Sequence, residues 1–343
     1  MSAPVRGGSP LLALPALLYG TVVRLRNRFY DRPGASRCAA LPVVGVGNLT
    51  VGGTGKTPLV IWIAERLIEQ GHRPAIVSRG YGGRAGSGPL VVSKGDGPEV
   101  EARDAGDEPW LIARSVRAAV VVVGSDRIAG ANAARELGSE IVLLDDGFQH
   151  RRLARDLDVV LLDARDPFGN GRLLPAGPLR EPPEALARAD LILLTRSVTE
   201  HPAPQIERQV RKHNGNAPLV PARHRPVGFV GGDGRKVEPP VRAVGFCGIG
   251  RPESFRETLL SQGIELTAFE TFSDHHRYTR EQMRRLAATA RDTTATLVTT
   301  EKDLARLEGL EDDARSIVAL RIEVAPYEPQ RLLDPIVRLV GGS

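Results

Sequence analysis

An apolar run, Val43-Val44-Gly45-Val46-Gly47, leads through Asn48-Leu49-Thr50-Val51 into Gly52-Gly53-Thr54-Gly55 and then Lys56-Thr57-Pro58. A strand, a glycine loop and a helix opening on Lys-Thr leave few folds open. Loop N–H groups and a helix N-terminus together make a cradle for phosphate. Lys56 is placed to reach the outer phosphates, and the Thr57 hydroxyl to hold Mg²⁺. The strict spacing asks for glycine where Thr50 stands, so the loop is the Gly-Gly-x-Gly-Lys-Thr variant. Val60, Ile63, Ala64, Leu67 and Ile68 then recur on one helical face, Gly71 ends the helix, and Pro74–Ser78 reads as a second strand. Strand, loop, helix, strand predicts a parallel sheet.

At 343 residues the chain suits two domains, and 41% hydrophobic with 25% charged residues is an ordinary globular composition. Cys38 and Cys247 form no metal or redox spacing. The net charge of +5 favours anionic partners, while 4% aromatic residues supply no stacking platform, so nucleic acid is not expected as a partner.

Residues Pro10 to Val23 are nearly all apolar, and Arg24, Arg26, Arg28 and Arg32 follow. The run is too short to span a bilayer, and its charges lie on the wrong side for a signal peptide. Two readings remain: a helix at about 8–32 lying in a membrane interface, or one packed on the domain.

Strand candidates at 119–123, 140–144, 157–162 and 191–194 alternate with helices. The Pro- and Gly-rich stretch 216–240 reads as an interdomain connection. Further α/β elements follow at 243–247, 254–261, 265–269, 280–290, 295–299 and 317–324, with a last helix at 329–340 that can return to the first domain. The expected fold is α/β: a P-loop NTPase-like parallel sheet flanked by helices, with a second, smaller α/β domain. The domains are drawn at 1–222 and 223–343, the smaller closing over the nucleotide site.

Four further stretches carry chemistry. Ile141–Leu144 runs into Asp145-Asp146-Gly147-Phe148-Gln149-His150, which sets two acids at a strand end where one can hold Mg²⁺. In Gly106-Asp107-Glu108-Pro109, Asp107 is either a helix cap or a base for an attacking hydroxyl. Phe272-Ser273-Asp274-His275-His276-Arg277-Tyr278 is either an exposed loop or a source of imidazole. The loop from Asn170 to Pro182 carries Arg172 and Arg180, whose guanidinium forks suit phosphate. Ser78-Arg79-Gly80-Tyr81-Gly82-Gly83 and Gly124-Ser125-Asp126-Arg127 also follow strands directly.

Taken in order, GNLTVGGTGKTP, SRGYGG, GDEP, GSDR, LLDDGFQH, NGRLLPAGPLREP, FCGIGRPESF, FSDHHRYT and TTEKD strongly resemble the tetraacyldisaccharide 4′-kinases, over roughly residues 41 to 303. The resemblance implies ATP- and Mg²⁺-dependent phosphorylation of the 4′-hydroxyl of an acylated glucosamine disaccharide 1-phosphate, which gives lipid IVA in lipid A biosynthesis. It further implies that Gly52, Gly53, Thr54, Gly55, Lys56 and Thr57 hold the nucleotide, with Ser78, Arg127 and Arg180 as phosphate or substrate contacts. Asp107 is the implied base and His275 its partner. Asp145 and Asp146 are implied near the metal, and Glu181 is a further Mg²⁺ candidate. Peripheral attachment at the cytoplasmic face of the inner membrane, by a monomer, completes the expectation. With Asp107 and His275 assigned to different domains, the pair is expected to form only on domain closure. A switch ATPase, a kinase of soluble small molecules and a membrane-binding scaffold are the competing readings.

Overall fold

The computed structural model describes residues 12–81, 83, 88–232, 234–307, 310 and 317–341. Pro10, Leu11, the start of the expected N-terminal helix and Gly82 lie outside the described residues.

In chain order the first elements are α1 (Ala13–Tyr30), β1 (Val43–Asn48), α2 (Lys56–Glu69), β2 (Pro74–Ser78), β3 (Leu90–Lys94), α3 (Ala102–Ala105), α4 (Asp107–Ser115) and β4 (Val120–Val123). Next come α5 (Arg127–Glu136), β5 (Ile141–Asp145), β6 (Leu157–Asp163), β7 (Leu191–Thr195), α6 (Pro204–Arg211), β8 (Leu219–Gly231) and β9 (Lys236–Val237). The remainder comprises β10 (Arg242–Cys247), α7 (Pro252–Ser261), β11 (Glu265–Thr271), α8 (Arg280–Asp292), β12 (Thr296–Thr300), α9 (Glu301–Ala305), β13 (Ile317–Pro326) and a C-terminal helix, Pro329–Gly341.

These form two compact units. The first takes 1–79, 124–224 and 324–343, the second 80–123 and 225–323. In the first unit β1 is central. It pairs in parallel with β5 on one side and β6 on the other, and the ladder extends from β5 to β2 and from β6 through β7 to β8. β1, β2, β5 and β7 are buried along their whole length, which is why they read as continuous apolar runs. Helix α2 follows the apolar face read from its sequence, burying Leu59, Val60, Trp62, Ile63, Ala64 and Leu67.

In the second unit β10 lies between β11 and β12, and β13 continues the parallel ladder from β12. The pair β3–β4 is antiparallel. Phe246, Tyr278, Met283 and Leu286 lie in its core.

The stretch read as an interdomain connection is instead mostly strand. Despite two prolines, β8 runs from Leu219 to Gly231, its start in register with β7 and its end antiparallel to β9. Pro221 keeps its place opposite Leu194 in a ladder that does not need its missing N–H on both sides. The segment 80–123, drawn from sequence into the first domain, packs in the second unit, where β4 pairs with β3 and α4 lies on α9.

Helix α1 shows two faces. Gly20 and Val23 are buried, whereas Leu14, Leu17, Leu18, Val22, Leu25 and Phe29 are more than half exposed. A Cβ on Gly20 would meet Leu173 Cδ1 at 2.7 Å, so this glycine admits the loop that carries Arg172 and Arg180. The Tyr19 hydroxyl donates to the Arg180 carbonyl at 2.8 Å, and Asn27 Nδ2 to Glu181 Oε2 at 2.6 Å. Among the described residues no helix is long and apolar enough to cross a membrane.

Candidate functional site

The loop after β1 turns on two glycines with positive φ, Gly52 at 104° and Gly55 at 95°, and Gly55 caps α2. Room is short beneath Gly55, where a Cβ would meet His224 Nε2 at 2.7 Å and Val324 Cγ2 at 2.9 Å. Asn48, the last residue of β1, braces the loop. Its Nδ2 donates to Thr54 Oγ1 at 2.9 Å, and its Oδ1 accepts from Lys56 Nζ at 3.3 Å. Arg196, past the end of β7, donates from Nη2 to the Gly53 carbonyl at 2.7 Å and pairs with Asp163 at 2.6 Å.

Thr57 sits in the first turn of α2 with Lys56. Asp145 closes β5 and is 1% exposed, while Asp146 follows with φ at 54°. That left-handed turn aims the Asp146 carboxylate at two cations, Lys56 Nζ at 3.5 Å and Arg180 Nη1 at 2.7 Å. Burial alone would raise the Asp146 pKa, but Lys56 and Arg180 outweigh it and hold the group below the usual carboxylate range. It is therefore ionised at neutral pH. Ser78, buried at the end of β2, accepts the Gly124 N–H through its carbonyl at 3.0 Å. Arg127 begins α5, is 5% exposed and donates to the Gly124 carbonyl at 2.7 Å. Burial, then Arg79, lowers its pKa, while Asp146 and Asp145 act in the opposite sense. The expected residues of this unit thus gather at the carboxyl ends of β1, β2 and β5, where ligands bind open parallel sheets.

Glu181 stands apart from the expected metal group. It is 0% exposed, and Arg188 grips it with both guanidinium nitrogens at 3.0 and 3.1 Å. Asn27 and Gln149 add further hydrogen bonds at 2.6 and 3.2 Å. Burial favours its neutral form, but Arg188 and Asn27 reverse the balance and lower its pKa. Its oxygens already serve the joint between α1 and the long loop.

In the second unit Gly106 has φ at 90°, and a Cβ there would lie 2.7 Å from the Tyr81 carbonyl. This tight passage delivers Asp107 as the first residue of α4. Asp107 Oδ2 lies 2.6 Å from Arg306 Nε and 3.5 Å from His275 Nδ1. Both members of the expected pair therefore belong to one unit and meet within it, so their meeting needs no domain closure. The reason is the placement of 80–123 with 225–323. His275 adopts φ at 59° and is tethered by its N–H to the Gly248 carbonyl and Asp274 Oδ1. His276 turns to other work, stacking on Phe272 at 4.7 Å between centroids and contacting Gln282, which completes the capping box of α8. Lys302 pairs with Glu108 at 2.7 Å, which joins TTEKD to GDEP.

Sequence reasoning passed over Asn48, Arg196, His224, Asp303 and Arg306. For Arg196 and Asp163 a signal existed: each stands at the end of an apolar strand, as Asp145 does. Arg306 and His224 had none, because only tertiary packing brings them to the site.

An α/β unit with a glycine loop, Lys-Thr opening a helix and paired strand-end acids defines a phosphate-loop nucleotide-binding protein. A family model for tetraacyldisaccharide-1-P 4′-kinase matches residues 9–340, and the chain belongs to that family. The tetraacyldisaccharide 4′-kinase of Syntrophus aciditrophicus is 43% identical, over 95% of this chain and 91% of the relative. That of Geobacter sulfurreducens is 41% identical, over 94% and 91%. The crystal structure of LpxK from Aquifex aeolicus in complex with ATP superposes with a TM-score of 0.77 at 33% identity, covering 96% of this chain and 98% of that one.

Proposed function

We propose that this protein transfers the γ-phosphoryl group of ATP to the 4′-hydroxyl of a tetraacylated glucosamine disaccharide 1-phosphate. The observation that carries the chemistry is the convergence of Lys56, Arg180 and Asp146 at the phosphate loop, with distances of 3.5 and 2.7 Å. Family membership supports the choice of acceptor.

In this reading the loop N–H groups from Gly52 to Thr57 and the α2 N-terminus bind the nucleotide phosphates, while Lys56, Arg127 and Arg180 offset negative charge on the moving group. Asp107 takes the proton of the attacking hydroxyl, with the His275 imidazole beside it. Mg²⁺ fits the hard oxygen donors Thr57, Asp145 and Asp146; when bound it supplies neutralisation of phosphate charge. Asp146 is suited to exchange cationic partners because Lys56 and Arg180 already keep it ionised. The exposed apolar stripe of α1, together with Arg24, Arg26 and Arg28, suits the interface of an anionic membrane, where an acylated acceptor resides.

The test is phosphate transfer from labelled ATP to the tetraacyl disaccharide 1-phosphate in detergent micelles, with Lys56→Ala as blank. Transfer by the wild-type chain alone is expected. ATP hydrolysis without transfer would move the assignment to another acceptor or to a switch ATPase. Asp107→Ala should reduce turnover by roughly 10²–10⁴-fold while ATP binding survives.

A further inference from the structure

The aspartate of the TTEKD segment is fully buried. Asp303 is 0% exposed and accepts from the Gly248 N–H at 3.0 Å, the Tyr278 hydroxyl at 3.0 Å and Arg306 Nη1 at 2.9 Å, all at Oδ1. Its Oδ2 accepts from the Thr300 hydroxyl at 2.6 Å, and Thr300 in turn caps α9 through the Asp303 N–H. A buried carboxylate this well supplied with donors is a rigid anchor.

The anchor holds Arg306, whose side chain is only 3% exposed. Each edge of its guanidinium has a separate partner. Nη1 goes to Asp303 and to the Gly248 carbonyl at 2.7 Å, Nε to Asp107 Oδ2 at 2.6 Å, and Nη2 to His275 Nδ1 at 3.1 Å. Arginine is always a donor and never an acceptor at these atoms. His275 Nδ1 must therefore accept, which places the ring proton on Nε2. The 3.5 Å approach of Asp107 Oδ2 to the same Nδ1 then carries no proton between them.

We propose that Arg306 is the positioning residue of the Asp107–His275 pair, fixing the carboxylate through Oδ2 and the imidazole as its Nε2–H tautomer. The assignment of Asp107 as base rests on the kinase reading above; the tautomer does not. Oδ1 of Asp107 stands outside the Arg306 contact and is the oxygen left to meet a hydroxyl. The fork geometry matters as much as the charge, since one planar group must serve a buried anchor, a base and a ring together. A lysine has a single nitrogen and cannot span all three.

Two experiments test this in the full-length chain. The first records ¹⁵N resonances of labelled histidine in the wild type, assigned by His275→Gln. An unprotonated Nδ1 and a protonated Nε2 at neutral pH are expected; a protonated Nδ1 overturns the proposal, whatever reaction the protein catalyses. The second compares Arg306→Lys and Arg306→Met, each checked for native folding by circular dichroism, in the transfer assay. A fall in kcat of about 10²-fold with KM for ATP unchanged is expected, as for a misplaced reacting group. Combining Arg306→Lys with Asp107→Ala should cost little beyond Asp107→Ala alone. Wild-type kcat in folded Arg306→Lys, or full additivity in the double variant, overturns the positioning role. If the wild type itself transfers no phosphate, the kinase reading fails, and the resonance experiment still decides the tautomer.

Discussion

Lowering the pH should loosen the phosphate-loop unit through one histidine. His224 lies in β8 two residues past its buried start, with Nε2 packed against Gly55 and shielded from solvent. Burial, reinforced by Arg196 and Arg165, lowers its pKa from 6.5 to about 4, against the weaker opposing pull of Asp163 and of a hydrogen bond to the Thr54 backbone. The unfolded chain therefore takes up a proton below about 6.5 that the folded unit refuses until about 4. Stability from this group is complete above the higher value, falls as pH drops between the two, and levels off below the lower one. Between pH 7 and pH 5 the loss is roughly 2 kcal/mol, from 1.36 kcal/mol per pH unit and the two pKa values. The assay is hydrogen exchange of α2 amides at both pH values, corrected for the intrinsic pH dependence of exchange. Opening in the wild type should become roughly 30-fold easier at the lower pH than in His224→Asn. His150 is likewise lowered to about 4 by burial and by Arg127, but it is present in both proteins and cancels. Equal acid sensitivity of the two proteins would refute the argument.

Two further outcomes distinguish roles that the sequence left together. Glu181→Ala removes the fully buried member of an ion pair with the largely buried Arg188, so it should cost roughly 3–5 kcal/mol and lower the melting temperature. If it instead leaves melting unchanged and abolishes the response to Mg²⁺, Glu181 is a metal ligand after all. Gly55→Ala forces a side chain into a positive-φ position and against His224 and Val324. Strain and overpacking of about 1–3 kcal/mol should weaken ATP binding by roughly 5- to 150-fold by calorimetry; unchanged affinity would remove the close packing from the explanation.

Much of the first unit was legible because its strands are buried on both faces and its loop needs residues of few types. Pro74–Ser78 was read to the residue, and Ile141–Asp145 and Leu191–Thr195 to within one position. The glycine loop and the helix face after it followed from spacing alone. β8 was missed because Pro221, Pro226 and Gly228 are loop-forming residues locally, and only neighbouring strands override them. The grouping of 80–123 with 225–323 was hidden for a related reason: pairing between distant segments leaves no periodic trace. His275 and Asp107 were both picked out, yet the arginine between them was not. A single Arg after a short helix looks like any solvated charge until Asp303 is seen buried beneath it.

The order of segments also bears on how the chain is made. The first unit is closed by its last stretch, since the C-terminal helix Pro329–Gly341 buries Leu332, Leu333 and Ile336 and belongs with 1–79 and 124–224. On the ribosome, then, the phosphate-loop unit is synthesised early and finished late. Its apolar seat for that helix waits uncovered while 225–323 emerge, an interval in which holding chaperones have a surface to recognise.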